Sequence, residues 1–138
     1  MAIKGKFEIL EHTGDLKIRI WGKDKKELFL NALLGMESGL HPELKTLNSE
    51  LKTIKIQSID LNALLVDFLG EALYLIQTNK EIYNEIKFKK FSGTILEVEL
   101  SGQKVERFGE DIKAVTHHGL DVRQREDGLF EAIVLFDI

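Results

Sequence analysis

Three carboxylates near the two ends of the sequence could bind a metal ion together. Asp137 and the terminal α-carboxylate of Ile138 follow an apolar run over residues 132–136, which predicts a buried strand ending there. Asp15 follows a short connection over residues 12–14, near the other end. Carboxylate oxygens are the ligands that Ca²⁺, Mg²⁺ and Mn²⁺ prefer. The sequence therefore predicts a divalent-cation site formed by Asp15, Asp137 and Ile138, provided that the two ends of the chain meet.

Each of these acids also has a purely structural interpretation. An aspartate in a short loop commonly accepts hydrogen bonds from nearby backbone N–H groups, which would account for Asp15. Asp137 would then be an incidental acid at an exposed terminus. The two interpretations differ in the distance they predict between the Asp15 carboxylate and the C-terminal carboxylates. Oxygens that share one hard cation lie within roughly 5 Å of one another.

Histidines offer a second set of metal ligands. His12 lies just before Asp15, and His117 and His118 are neighbours in a segment with strand-like alternation. Adjacent residues of a strand point to opposite faces, so at most one of His117 and His118 can reach a given metal ion. The sequence has no cysteine, and neither predicted helix carries a His-x-x-x-His pair, which argues against a histidine-rich transition-metal site.

Two further positions have side chains suited to chemistry. Asp67 and Glu71 lie four residues apart on a predicted helix and share one of its faces, a spacing that could serve acid–base catalysis but more commonly forms a solvated surface. Lys113 begins a predicted strand and would need a nearby partner to have a functional role. The sequence has no glycine-rich nucleotide-binding motif and no nucleophilic-serine elbow.

Helices and strands must position these residues. Apolar residues at helical spacing follow a capping box at Asp24–Glu27, which predicts one helix, and a broad apolar stripe from Asp60 onward predicts a second. Apolar and polar residues alternate over residues 7–9, 16–22 and most of the second half, which predicts strands joined by hairpins. We expect an α+β fold over residues 1–138: a single domain with a mostly antiparallel mixed sheet of about six or seven strands and both helices packed on one face.

Composition excludes several classes of protein. The chain has 138 residues, of which 43% are hydrophobic and 30% are charged, values typical of one globular domain. It has no secretion signal and no apolar stretch of membrane-spanning length, so we expect a soluble cytoplasmic protein without membrane association. A net charge of −4 argues against general binding to nucleic-acid phosphates, and any association with RNA is expected to be indirect.

Four segments in order resemble the archease family. They are His12–Ile18, Leu64–Leu75, Asp111–Leu120 and Val134–Ile138, and together they span the chain. The sequence departs from the family pattern in small ways: archeases usually have Ala at the position of Gly14, commonly Trp at that of Phe68, and commonly Tyr at that of His117. None of these differences removes a predicted ligand.

The resemblance implies an accessory protein rather than an enzyme. Archeases assist the tRNA-splicing RNA ligase, which uses GTP and Mn²⁺ to join 3′-phosphate or 2′,3′-cyclic-phosphate ends to 5′-hydroxyl ends. They promote guanylylation of a ligase histidine, allow multiple turnover and broaden nucleotide use. By position, Asp15, Asp137 and Ile138 match the family's cation-binding residues, with Ca²⁺ the expected ion, and Lys113 matches a functional lysine. His12 and His117 are the weaker site candidates.

Two other functions are compatible with the residues alone. A stand-alone metal-dependent hydrolase would use Asp15, Asp137 and one of the histidines His12, His117 or His118, and the isolated protein would then turn over phosphoesters. A general chaperone or scaffold would suppress aggregation of unrelated proteins, and loss of the acidic residues would not affect it.

Overall fold

The computed structural model describes residues 6–138, apart from the side chains of Glu11 and His12. The described residues form nine strands and two long helices, with two strands before each helix and five after the second. In chain order they are β1 (Phe7–His12), β2 (Asp15–Gly22), α1 (Lys25–Gly39), β3 (Pro42–Asn48), β4 (Lys52–Gln57), α2 (Leu61–Asn79), β5 (Glu81–Phe91), β6 (Ile95–Phe108), β7 (Ala114–Thr116), β8 (Arg123–Gln124) and β9 (Phe130–Asp137).

The strands form two antiparallel sheets. Sheet A has the order β1-β2-β9-β7, and the short β8 pairs with β9 beyond the end of β7. Sheet B is built around β6, which pairs with β5 along one edge and with β4 and β3 along the other. The second and last strands of the chain, β2 and β9, are therefore neighbours in the middle of sheet A.

Both helices begin at an aspartate that caps the first turn. Asp24 accepts a hydrogen bond from the backbone N–H of Glu27 at 2.8 Å, and Asp60 accepts one from Ala63 at 2.8 Å. Such a side chain satisfies an N–H group that has no partner within the helix. The capping box predicted at Asp24 is thus confirmed, and the second helix begins after Asp60 as expected.

The helices lie between the two sheets. α1 contacts β2 of sheet A and β5 of sheet B, whereas α2 contacts β4 of sheet B and β7 of sheet A. Each strand of sheet A with a clear alternation turns its apolar residues toward the helices, as in β2, where Leu16, Ile18 and Ile20 are fully buried. One core cluster includes residues of both sheets and both helices.

The α+β class, the two helices and the antiparallel pairing are confirmed. The strands are divided between two sheets, whereas the alternation pattern led us to expect one sheet of about six or seven strands on one side of the helices. The reason for the difference is physical: period-two alternation shows which face of a strand is buried, but it does not show which strands pair. Helices covered on two sides also explain why α1 buries the polar residues Asn31 and Glu37 as well as its apolar ones.

Two buried glutamates lie where α1 meets β5. Glu37 accepts a hydrogen bond from the backbone N–H of Tyr83 at 2.6 Å, and burial raises the pKa of its carboxyl well above the usual value. Glu81 accepts hydrogen bonds from the Tyr83 hydroxyl at 2.8 Å and from Lys104 Nζ at 2.7 Å. Burial raises the pKa of Glu81, but these hydrogen bonds outweigh burial and the net shift is downward.

Substitution of Glu37 should reveal whether its carboxyl group is protonated in the folded protein. Glutamate in the unfolded chain ionises near pH 4.5, and the folded carboxyl stays protonated to higher pH. Its contribution to the free energy of unfolding is therefore complete below that pH and is lost as the pH rises toward the folded pKa. The free energy of unfolding of Glu37→Gln, relative to that of wild type, should therefore increase by about 1 kcal/mol or more between about pH 4 and about pH 8. Denaturant unfolding at the two pH values measures this difference.

The matched control for this experiment is Glu126→Gln, in the exposed turn before β9. Its free energy of unfolding should differ from wild type by a similar small amount at both pH values. Parallel pH profiles for Glu37→Gln and wild type would show that Glu37 is ionised in the folded protein.

Candidate functional site

Asp15 and Asp137 lie directly opposite each other on neighbouring strands. β2 begins at Asp15 and β9 ends at Asp137, and the antiparallel register pairs the two residues. Both side chains are exposed, because the next residues inward, Leu16 and Phe136, are fully buried on the opposite face of the sheet. Cβ atoms of directly opposed residues are separated by about 4.5–5.5 Å and point to the same side. The two ends of the sequence therefore meet, as the cation-site prediction required.

Lys113 and Ile138 lie beside this pair. The backbone N–H of Lys113 donates a hydrogen bond to the carbonyl oxygen of Asp137 at 2.7 Å, and the next residue, Ala114, is paired with Asp137 in the sheet. The Lys113 side chain is exposed. The Ile138 side chain is partly buried and packs against the core, which holds the main chain in place next to Asp137. The structure thus brings four of the predicted site residues to one end of sheet A.

A cavity on the outer face of sheet A adjoins Asp15. We call it the carboxylate groove; its volume is about 400 Å³, and its lining residues are Asp15, Lys17, His118, Gly119, Ile133 and Leu135. Lys17 was not among the residues that we selected from the sequence, and His118 was considered there only as an alternative to His117. Period-two alternation could have indicated Lys17, which is two residues from Asp15 on the same strand. His118 lies in the turn after β7, where strand alternation does not apply.

His117 lies elsewhere. It lines a second cavity, the α2 groove, of about 470 Å³, together with Ile56, Val66, Asp67, Gly70, Glu71 and Val115. His117 and His118 thus open onto different grooves, as expected for adjacent residues at the end of a strand, and it is His118 that shares a groove with Asp15. His12 pairs with Leu16 through its main chain, but its side chain lies outside the described part of the structure.

The electrostatics of the Asp15–Asp137 pair favour a bound positive charge. Like charges directly opposite each other destabilise a sheet unless something compensates them. Among the described residues, no three His, Asp or Glu side chains are grouped so that they could hold a metal ion. The described side chains therefore supply two carboxylate donors, which suit a hard cation, and a cation would need further oxygen donors. The predicted role of the Ile138 carboxylate is to be one of them.

Comparison with known proteins identifies the family. The sequence pattern of the archease protein family matches residues 7–138. The chain belongs to the archease family. Protein archease of Methanosarcina barkeri is 32% identical over 147 aligned positions that cover all of both chains. Protein archease of Methanosarcina acetivorans is 34% identical over 142 positions, covering 96% of each chain.

Solved structures show the same fold. The solution structure of Methanobacterium thermoautotrophicum protein 1598 has a TM-score of 0.69 and 29% identity, and the match covers 97% of this chain and 99% of that one. The crystal structure of an archease from Thermotoga maritima also has a TM-score of 0.69, with 23% identity and coverage of 95% and 96%. The second likeness is evidence for the archease fold alone.

Family membership favours an accessory role over catalysis. Archeases are known as activators of an RNA ligase and are generally not catalysts themselves. Neither helix in the described residues is long and apolar enough to cross a membrane.

Neutralising one acid of the pair should change stability in a cation-dependent way. In the presence of a chelator, Asp137→Asn should raise the free energy of unfolding by about 0.2–1 kcal/mol, because it removes the cross-strand repulsion. It should also reduce the stabilisation that Ca²⁺ gives the wild-type protein. Thermal unfolding with EDTA and with Ca²⁺ measures both effects. Equal responses of Asp137→Asn and wild type would mean that these acids bind no cation.

Proposed function

We propose that this protein activates a tRNA-splicing RNA ligase that joins 3′-phosphate or 2′,3′-cyclic-phosphate ends to 5′-hydroxyl ends. Membership of the archease family supports an RNA ligase as the partner. The observation that carries the proposal is the β2–β9 register, which places Asp15 opposite Asp137 with Lys113 adjacent. This arrangement concentrates the charged residues that the sequence singled out at one exposed end of sheet A.

In this proposal the two acids hold a divalent cation. Asp15 and Asp137 would supply carboxylate oxygens, and the Ile138 carboxylate would supply a further one. Ca²⁺ is the expected ion, and Mg²⁺ and Mn²⁺ take the same kind of ligand. The bound cation supplies positive charge at the surface that meets the ligase, either by transfer to the ligase or by contact with it.

The acids then act at the entrance of the ligase active site. Both are exposed at the end of a rigid sheet, so they can approach another protein without rearrangement of this chain. Stabilising the metal-loaded, GTP-competent form of the ligase would promote guanylylation of its histidine, permit repeated turnover and broaden the range of nucleotides accepted. RNA would contact the ligase rather than this protein, which has a net charge of −4. We place this activity in the cytoplasm.

Lys113 would contribute a positive charge to the same contact. Its main chain is fixed by the 2.7 Å hydrogen bond to Asp137, and its side chain is exposed. An ammonium group in this position suits a phosphate group or a ligase carboxylate. Lys113→Ala should therefore reduce activation, whereas Lys113→Arg should retain part of it, as measured by the rate of ligase guanylylation.

The central test is loss of activation when one acid is removed. Asp15→Ala and Asp137→Ala should each lower the stimulated rate of ligase guanylylation at least about tenfold, because a divalent-cation site that loses a carboxylate binds its ion much more weakly. The assay uses purified ligase, GTP and Mn²⁺, and the control is Glu126→Gln, which removes one negative charge from the opposite end of sheet A. Full stimulation by both alanine variants would refute the proposal, as would phosphoester turnover by the isolated protein.

A further inference from the structure

The α2 groove runs along the side of α2, between β4 of sheet B and β7 of sheet A. Its apolar walls are Ile56 from β4, Val66 from α2 and Val115 from β7. The charged residues at its rim are Asp67 and Glu71, and no lysine or arginine lines it. The groove thus combines apolar lining residues with two negative charges at its rim.

The two acids of the groove make few contacts within the protein. One oxygen of Asp67 accepts a hydrogen bond from the Ser58 hydroxyl at 2.6 Å. Glu71 is exposed, and its side chain has no hydrogen-bond or ion-pair partner among the described side chains. Two carboxylates four residues apart on one helix face repel each other unless a cation lies between them. The rim therefore favours an approaching positive charge.

Gly70 is a second and independent feature of the groove. It lies in the middle of α2, where glycine destabilises a helix relative to alanine. A Cβ atom at this position would meet no heavy atom within 4 Å, so packing within the protein does not require glycine. The absence of a side chain leaves the helix backbone open at the bottom of the groove, where another chain can approach closely.

We propose that the α2 groove docks a segment of a partner protein that carries an arginine or lysine side chain. The aliphatic stem of such a side chain would lie against the partly exposed Ile56 and Val115, and its charged end would meet Asp67 and Glu71. Nucleic acid is disfavoured because its phosphates would be repelled by the rim. The inference rests on the proposed function for the identity of the partner, which is then the RNA ligase.

β7 connects this groove to the carboxylate pair. Val115 and His117 line the α2 groove, and the neighbouring residue Ala114 pairs with Asp137 of β9. A partner segment in the groove would therefore lie one strand away from Asp137. Docking and activation are separate steps in this scheme: the groove supplies affinity, and the carboxylate pair acts on the ligase once it is bound.

Binding and activation can be measured separately with three variants. The equilibrium Kd of the full-length protein for purified ligase should rise about tenfold or more for Glu71→Lys, which reverses the charge at the rim. Gly70→Leu should weaken binding to a similar extent by filling the groove, without loss of folded stability, since leucine is a better helix former. Glu126→Lys makes the same charge change in the exposed turn at the far end of sheet A and should leave the Kd unchanged.

The outcomes distinguish this inference from the proposed function. Unchanged Kd values for Glu71→Lys and Gly70→Leu, with tight binding by wild type, would overturn the groove as the docking site and leave activation by the carboxylate pair intact. Tight, groove-dependent binding without any stimulation of the ligase would refute the proposed function but support the groove. No binding of the ligase by wild type would overturn both. Binding of labelled RNA that Gly70→Leu abolishes would also overturn the inference, because the occupant would be RNA.

Discussion

The register between β2 and β9 is the constraint on which both the core and the candidate site depend. It pairs Leu16, Ile18 and Ile20 with Phe136, Val134 and Ala132, and all six side chains are buried. The same register places Asp15 opposite Asp137 on the solvent side. A slip of one residue would turn the apolar residues of β9 outward and Asp137 inward, at a large cost in buried apolar area and a buried charge. Core packing therefore fixes the position of the acids as firmly as any contact of their own.

The two helices make the second constraint, because each is covered by both sheets. A helix in the middle layer buries residues around most of its surface, and α1 accordingly buries Glu37, which lies against the main chain of Tyr83. α2 differs, since one of its faces opens onto solvent between β4 and β7 and carries Asp67 and Glu71. The exposed acids at helical spacing are thus a consequence of incomplete coverage of α2 rather than of a separate structural element.

Sequence reasoning predicted what local pattern determines. The cap at Asp24, the two helices, the alternation of β2 and the strand at the apolar run of β9 all follow from short-range preferences, and the structure agrees with them. The division of the strands between two sheets was not predicted, because pairing depends on contacts between distant residues that one sequence does not report. His118 illustrates the same limit: it lies in the turn after β7, and only the structure shows that it shares a groove with Asp15.

The site candidates chosen from the sequence divide in an instructive way. Asp15, Asp137 and Ile138 were grouped because their carboxylates suit one cation, and Lys113 was added through the family resemblance. The sheet brings all four to one place. His117 was grouped with them only by its type and its neighbourhood in the chain, and it opens onto the α2 groove instead. Chain neighbours on a strand alternate between faces, so nearness in sequence is a weaker guide to a shared site than pairing across strands.

The central place of β9 has a consequence for how the protein folds. β9 fits between β2 and β7, so sheet A cannot close until a strand that begins at Phe130 has joined one that ended at Gly22. Contacts between such distant segments slow folding, because a long intervening chain must first be ordered. A nascent chain on the ribosome can build sheet B and both helices while β2 still exposes an unpaired edge. The acidic pair therefore cannot form before β9 has been synthesised and has paired with β2, so shorter nascent chains cannot present it to a partner.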